Sequence, residues 1–180
     1  MESVRYAALL RGINVGGNNV IKMVDLKQCF VDMGFGNVRN YIQSGNIVFD
    51  AEQTNKVHLK SVIERNLYIR YGNEIRITLL SKQDMSDVID HRPIGFGDKE
   101  DVYRYSVMFL MPFVSMEKVF ANIQTKQGVD QIFRGVGCIY ASRLRGFESK
   151  SHLIKISQTP FYKQMTIRNW GTTLQIAAML

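Results

Sequence analysis

The chain has 180 residues, of which 46% are hydrophobic and 22% are charged. This composition is typical of a packed protein and excludes a disordered or low-complexity chain, and the longest apolar run, residues 107–114, is far too short to span a bilayer. The net charge of +7 favours an anionic partner, from a phosphate to a nucleic acid, but it is no less typical of a soluble basic surface.

The cysteines and the first residues of the chain indicate a compartment. Cys29 and Cys138 are the only cysteines, and neither lies at the spacing of a metal or redox motif. The first residues show no signal-peptide pattern. We therefore expect a cytoplasmic protein with reduced thiols and no membrane partner, and we predict no metal site and no cofactor.

The first half of the chain shows regular hydrophobic patterns. Residues 6–10 form an apolar run that predicts a central strand, and a glycine-rich loop follows it. Residues 38–42 and 47–50 predict two strands joined by a tight turn. Two apolar stripes at helical spacing predict one helix before this hairpin and one after it, and Thr54 is the predicted cap of the second helix. Apolar and polar residues alternate in residues 75–79, which predicts a last strand. The stripes consist of Met23, Leu26, Phe30 and Met33, and of Leu59, Ile63 and Leu67.

This order of strands and helices indicates a fold class. Strand, helix, strand, strand, helix, strand is the βαββαβ order of a ferredoxin-like layer, in which an antiparallel sheet carries helices on one face. We predict an α+β protein with a ferredoxin-like subdomain in residues 1–80.

Residues 81–180 predict a second, associated α+β subdomain. A capping box at Ser81 and Asp84 predicts a helix, residues 102–110 a central strand, and Ser115 the start of another helix. Residues 131–134 and 138–141 predict a hairpin, and residues 150–156 a short helix. The final helix is predicted to begin near Thr166.

The strand order predicts one polar edge. In a ferredoxin-like layer the first strand lies beside the third, so that Arg11 and Asn14 should meet Gln43, Ser44 and Asn46. A guanidinium group and backbone N–H groups suit a phosphate or a carboxylate. In the alternative interpretation the arginine pairs with an acid and the asparagines brace their own turns.

A second hypothesis concerns the basic C-terminal third. Five cations there could contact nucleic acid, although no RNA-binding RNP1 pattern is present. They are Arg143, Arg145, Lys150, Lys155 and Lys163.

No motif identifies a reaction. The loop after the first strand lacks the spacing of dinucleotide and P-loop fingerprints, and Ser115 with Lys118 lacks the companion motifs of serine acyl-enzymes. The catalytic residues are therefore unknown, and an enzyme of unidentified reaction stays open as a third hypothesis.

Three stretches, residues 9–17, 41–49 and 166–170, resemble the signature stretches of the bacterial domain of unknown function 1697 family. The resemblance covers essentially the whole chain and implies two associated, partly intertwined α+β subdomains with no established activity or cofactor. Gly171 departs from the family pattern, in which asparagine is common. The resemblance marks seven residues as a polar signature: Arg11, Asn14, Gln43, Ser44, Asn46, Arg168 and Asn169.

Together these observations predict a binding module for a small anionic ligand. Its pocket would combine the Arg11 loop, the Ser44 turn and the N-terminus of a helix starting near Thr166, whose backbone N–H groups attract anions. No oligomeric state is predicted.

Overall fold

The structure, a computed structural model, describes residues 3–15 and 20–180. Gly16 and Gly17 of the predicted glycine-rich loop lie outside the described residues. The chain divides into two compact units, one formed by the residues up to Met85 with Ile176–Leu180, the other by Ser86–Gln175. No helix in the described residues combines the length and the apolar character that crossing a bilayer requires.

The first unit contains a four-stranded antiparallel sheet, and the predicted ferredoxin-like order is confirmed. The strands lie in the order β2-β3-β1-β4, so the first strand pairs with both the third and the fourth. The elements are β1 (Ser3–Leu10), α1 (Met23–Asp32), β2 (Gly36–Tyr41), β3 (Asn46–Glu52), α2 (Lys56–Tyr71) and β4 (Ile77–Ser81). They are followed by α3 (Lys82–Asp90), and the division between the two units falls within this helix, after Met85.

The core of this unit lies between the sheet and the two helices. Tyr6, Ala8 and Leu10 alternate along β1 and pack against the apolar stripes of α1 and α2, as predicted. The predicted cap of α2 is wrong by one residue: Asn55, not Thr54, accepts hydrogen bonds from the first backbone N–H groups of the helix.

The second unit contains another four-stranded antiparallel sheet, in the order β6-β7-β5-β8. Three short 3-10 helices, Glu148–Lys150, Leu153–Gln158 and Pro160–Gln164, connect β7 to β8, where one short helix over residues 150–156 was expected. The other elements are β5 (Tyr103–Leu110), α4 (Met116–Asn122), β6 (Asp130–Arg134), β7 (Cys138–Leu144), β8 (Met165–Asn169) and α5 (Trp170–Met179), whose residues from Ile176 onwards belong to the first unit.

The predicted start of the final helix near Thr166 is wrong. Thr166 lies in β8, opposite Phe109 of β5, and α5 begins four residues later at Trp170. The spacing of Ile167 and Trp170 fits a helix as well as a strand followed by a helix. Pairing with the central strand β5, a contact distant in sequence, decides between them.

The two units repeat one topology, which the sequence does not reveal. The N–H of Leu10 donates to the carbonyl of Gly45 at 2.7 Å, and that of Leu110 donates to Gly137 at 3.0 Å. The backbone N–H of the next residue, Arg11, donates to the carbonyl of the residue before β4. In the same way, the N–H of Met111 donates to the carbonyl of the residue before β8. Strand β5 therefore takes in the second sheet the place that β1 takes in the first.

An ion pair at the far end of β1 predicts a pH dependence. The Arg5 side chain donates to both carboxylate oxygens of Asp50, at 2.7 and 3.1 Å, and Asn37 adds a third bond. The bond from Arg5 is the main cause of a lowered Asp50 pKa. Because the folded state favours the carboxylate, this stabilisation is present above the unfolded pKa near 4 and is lost as the pH falls through the lower folded pKa.

We expect Asp50→Asn to reduce this loss of stability in acid. Urea unfolding of the wild type and the variant between about pH 5 and pH 2 measures the difference. Parallel pH profiles for the two proteins would contradict the role given to the Arg5–Asp50 pair.

Candidate functional site

The predicted edge beside Arg11 forms in the first unit. Leu9 lies opposite Asn46 in the β1–β3 pair, so the loop after β1 reaches the turn between β2 and β3. The Asn14 side-chain nitrogen donates to the carbonyl of Gln43 at 2.8 Å, which ties the loop to the turn. The strand pairing that this site prediction required is confirmed.

The asparagines at this edge make the turn-bracing bonds of the alternative interpretation. Asn14 also exchanges hydrogen bonds with the backbone N–H and C=O of Ile21, at 2.8 and 2.9 Å. Asn46 is fully buried and donates to the Tyr41 carbonyl and the Ser44 hydroxyl, both at 3.0 Å. Their amides therefore hold the loop and the turn together.

The remaining predicted residues of this edge reach the surface. Gln43 is exposed, and Arg11 and Ser44 are half-buried. Ile42 has a φ of 46°, a left-handed conformation that a β-branched residue rarely adopts. The turn thus contains local strain next to Gln43.

The structure separates Arg168 from Asn169. Successive residues of a strand point to opposite faces of the sheet, and these two are the last residues of β8. Arg168 is buried, donates to the Ile167 carbonyl at 2.9 Å, and has its pKa lowered to about 10 by desolvation. Asn169 is exposed, so only one of the two predicted residues faces solvent.

A cleft lies in the second unit where β8 ends. Ser106 is the first residue of β5 that pairs with β8. The three residues that precede it, from Tyr103 onwards, pair with β7 but not with β8. The cleft beside this strand edge has a volume of about 170 Å³. We call it the β5-edge cleft, and it is lined by Glu100, Tyr103, Arg104, Tyr105, Arg145, Asn169, Trp170 and Gly171.

Two arginines bring positive charge to the β5-edge cleft. Arg104 donates through Nε to a carboxylate oxygen of Glu148 at 2.9 Å, and Arg145 donates through Nε to the backbone carbonyl of Glu100 at 2.6 Å. Within the part of the chain that the structure describes, their terminal guanidinium nitrogens make no hydrogen bond and Arg145 forms no ion pair. Both side chains therefore keep donors for a ligand, and Glu100 is the one acidic residue among those that line the cleft.

The start of α5 contributes to the same cleft. Trp170 and Gly171 begin the helix, whose first turn contains no acidic residue. A Cβ atom built on Gly171 meets no heavy atom within 4 Å, so the space above this turn is open. By contrast, α3, which follows the equivalent strand of the first unit, has its first turn occupied by the Asp84 carboxylate of the confirmed capping box with Ser81.

Tight packing holds the indole of Trp170 in place. Its ring lies 5.2 Å from that of Phe96, edge to face, and only 4% of the residue is exposed. A Cβ atom on Gly97 would lie 2.4 Å from the indole nitrogen, so only a glycine at this position allows the backbone to lie so close to Trp170. Trp170 is therefore a rigid wall of the cleft.

The basic residues of the second hypothesis lie in different environments. Arg145, Lys150, Lys155 and Lys163 are exposed, the last three within the 3-10 segments. Arg143 is half-buried, and its Nε has no hydrogen-bond partner among the described residues.

The sequence reasoning missed Arg104, Tyr103 and Tyr105. The signal that could have found Arg104 is the pairing of β5 with β7, which places it directly opposite Arg143. Two like charges at opposed positions of a sheet repel each other, and the Glu148 carboxylate bound to Arg104 relieves that repulsion. Among the described residues no group of acidic, histidine and cysteine side chains has the arrangement of a metal site.

Comparison with known proteins identifies a family and a structural relative. The family described as "Protein of unknown function (DUF1697)" matches residues 4–140. The structure is similar to that of the conserved bacterial protein SP0830 from Streptococcus pneumoniae, with a TM-score of 0.86, 29% identity and coverage of 99% of each chain. The curated proteins contain no match. Because the family match spans well over half of the sequence and the signature stretches of the loop and the hairpin lie inside it, the chain belongs to the DUF1697 family of proteins of unknown function.

Proposed function

We propose that this protein is a binding module for a small ligand with a phosphate or carboxylate group, and that the β5-edge cleft receives this group. The observation that carries the proposal is Arg145, whose guanidinium lines the cleft and is paired only with a backbone carbonyl among the described residues. A guanidinium with two open N–H directions matches the paired oxygens of phosphate and carboxylate.

The surroundings of Arg145 support an anion rather than a cation. Arg104 and Arg145 outnumber Glu100, the one acidic residue that lines the cleft, and the nearby Glu148 carboxylate is engaged by Arg104. The helix start at Trp170 and Gly171 adds the partial positive charge at the N-terminal end of the helix dipole. The exposed Asn169 amide supplies a further donor at the mouth of the cleft.

This proposal moves the centre of the predicted pocket. The helix start expected near Thr166 does not exist, because β8 occupies those residues, so the donors assigned to it are not proposed again. Arg11, Gln43 and Ser44 remain a predicted second anion-facing edge in the first unit, independent of the β5-edge cleft.

Titration with inorganic phosphate tests the proposal. We expect saturable binding by calorimetry, and Arg145→Gln should weaken it by roughly 10- to 100-fold, the effect of one hydrogen bond to a charged group. The matched control is Arg134→Gln, which removes an exposed arginine placed 4.7 Å over the ring of Phe120 and should leave the affinity within about twofold of the wild type.

Two outcomes would contradict the proposal. One is the absence of saturable binding of phosphate and of small carboxylates, and the other is an equal loss of affinity in both arginine variants. Binding of DNA or RNA that weakens steeply with salt, and that persists in Arg145→Gln, would instead favour the exposed lysines of the second hypothesis, Lys150, Lys155 and Lys163.

A further inference from the structure

We propose that the anionic group bound in the β5-edge cleft is attached to a planar aromatic ring, and that the ligand class is a nucleoside monophosphate whose base stacks on Tyr103. This inference rests on the proposed function. It adds a ligand class and a specificity-determining residue to the same site.

A row of aromatic rings leads into the cleft. Trp170 packs on Phe96 at 5.2 Å, Phe96 packs on Tyr105 at 4.8 Å, and Tyr105 lies 6.1 Å from Tyr103. Phe96 and Trp170 are buried, whereas the two tyrosines are half-buried. Tyr103 ends the row, because Tyr105 is its only ring neighbour among the described aromatic residues.

The position of Tyr103 suits one ligand that contacts it and Arg145 together. Tyr103 lies opposite Leu144 in the β5–β7 pair, and the backbone N–H of Arg145 donates to Val102 at 2.9 Å. Tyr103 and Arg145 both line the β5-edge cleft. A nucleotide bound there places its base on the ring and its phosphate on the arginine.

The volume of the cleft limits the part of the ligand that it holds. A cavity of about 150 Å³ holds one benzene molecule, so the cleft, with about 170 Å³, accommodates one phosphate group or one ring. The phosphate therefore fills the cleft beside Arg145, and the ring lies against Tyr103 at its mouth.

The intrinsic fluorescence of the protein reports on this site directly, since Trp170 is the only tryptophan in the chain. Wild-type protein is titrated with adenosine 5′-monophosphate, ribose 5-phosphate and inorganic phosphate, and tryptophan quenching is followed alongside calorimetry. We expect the nucleotide to bind roughly tenfold more tightly than ribose 5-phosphate, the effect of one base stacked on an aromatic side chain.

Two variants assign this difference to the ring. Tyr103→Leu should bind the nucleotide no more tightly than it binds ribose 5-phosphate, and Tyr103→Phe should keep the wild-type preference. Circular dichroism and the temperature of thermal unfolding verify that each variant is folded.

The outcomes separate this inference from the proposed function. Equal affinities of the wild type for the nucleotide and for ribose 5-phosphate would overturn the inference and leave anion binding intact. A preference that survives in folded Tyr103→Leu would overturn the role of Tyr103. Absence of binding by all three probes would remove the proposed function as well.

Discussion

Replacing Gly45 by alanine should destabilise the protein by about 2–5 kcal/mol, because two costs add. Gly45 has a φ of +74°, a left-handed conformation that costs an L-residue roughly 1–2 kcal/mol. A Cβ atom there would lie 2.6 Å from the end of the Ile13 side chain and 2.9 Å from the Cβ of Leu10. Overpacking of this kind in a core typically costs a further 1–3 kcal/mol, on the order of the backbone term.

The second unit provides the matched control. Gly137 has a φ of +66° and accepts the equivalent hydrogen bond from Leu110, but a Cβ atom on it meets nothing within 4 Å. Gly137→Ala should therefore cost only the backbone term, roughly 1–2 kcal/mol. Chemical denaturation followed by circular dichroism measures both, and equal losses in the two variants would show that contact with Ile13 and Leu10 contributes nothing.

Replacing Asp130 by alanine should destabilise the protein by about 2–4 kcal/mol, since three donors lose their acceptor. The buried Asp130 carboxylate accepts from the Ser151 hydroxyl at 2.6 Å and from the backbone N–H groups of His152 and Lys126 at 2.8 and 2.9 Å. These bonds anchor the chain after β7 to the start of β6. Without the carboxylate, the hydroxyl and both N–H groups lose this acceptor in a partly or fully buried environment.

Removal of an exposed carboxylate is the control for this prediction. Asp98 is exposed, and Asp98→Ala should change the stability by less than about 0.5 kcal/mol. The free energy of unfolding from urea titrations distinguishes the two variants. A loss from Asp130→Ala as small as that from Asp98→Ala would mean that the Ser151 region does not depend on the carboxylate.

Local sequence patterns predicted the elements whose signal lies in neighbouring residues. The apolar stripe of α2, the capping box of Ser81 with Asp84 and the Ser115 cap of α4 each involve residues a few positions apart, and all three form. The order of these elements was enough to predict that β1 pairs with β3, because few connections allow the helices to pack on one face of the sheet.

Other features depend on residues far apart in the chain. The conformation of residues 165–169 follows from pairing with β5, more than fifty residues earlier. The repeat of one topology leaves little trace in the sequence, because equivalent positions of the two sheets hold different side chains. Asn46 lies opposite Leu9 in the first sheet, whereas at the equivalent position of the second sheet Cys138 lies opposite Phe109. Shared hydrogen bonds, such as those accepted by Gly45 and Gly137, become visible only in the structure.

The sequence by itself determined the fold class, the position of β1 beside β3 and the polar edge at Arg11, because periodicity, caps and turns are local and the ferredoxin-like order restricts how they combine. Only the tertiary structure decided that Asn14 and Asn46 are used for bracing and that Arg145, Tyr103 and Asn169 line one cleft. The physical reason is that a cleft forms where one strand ends before its neighbour, and the register of β5 with β7 and β8 is set by side chains that pack across the sheet.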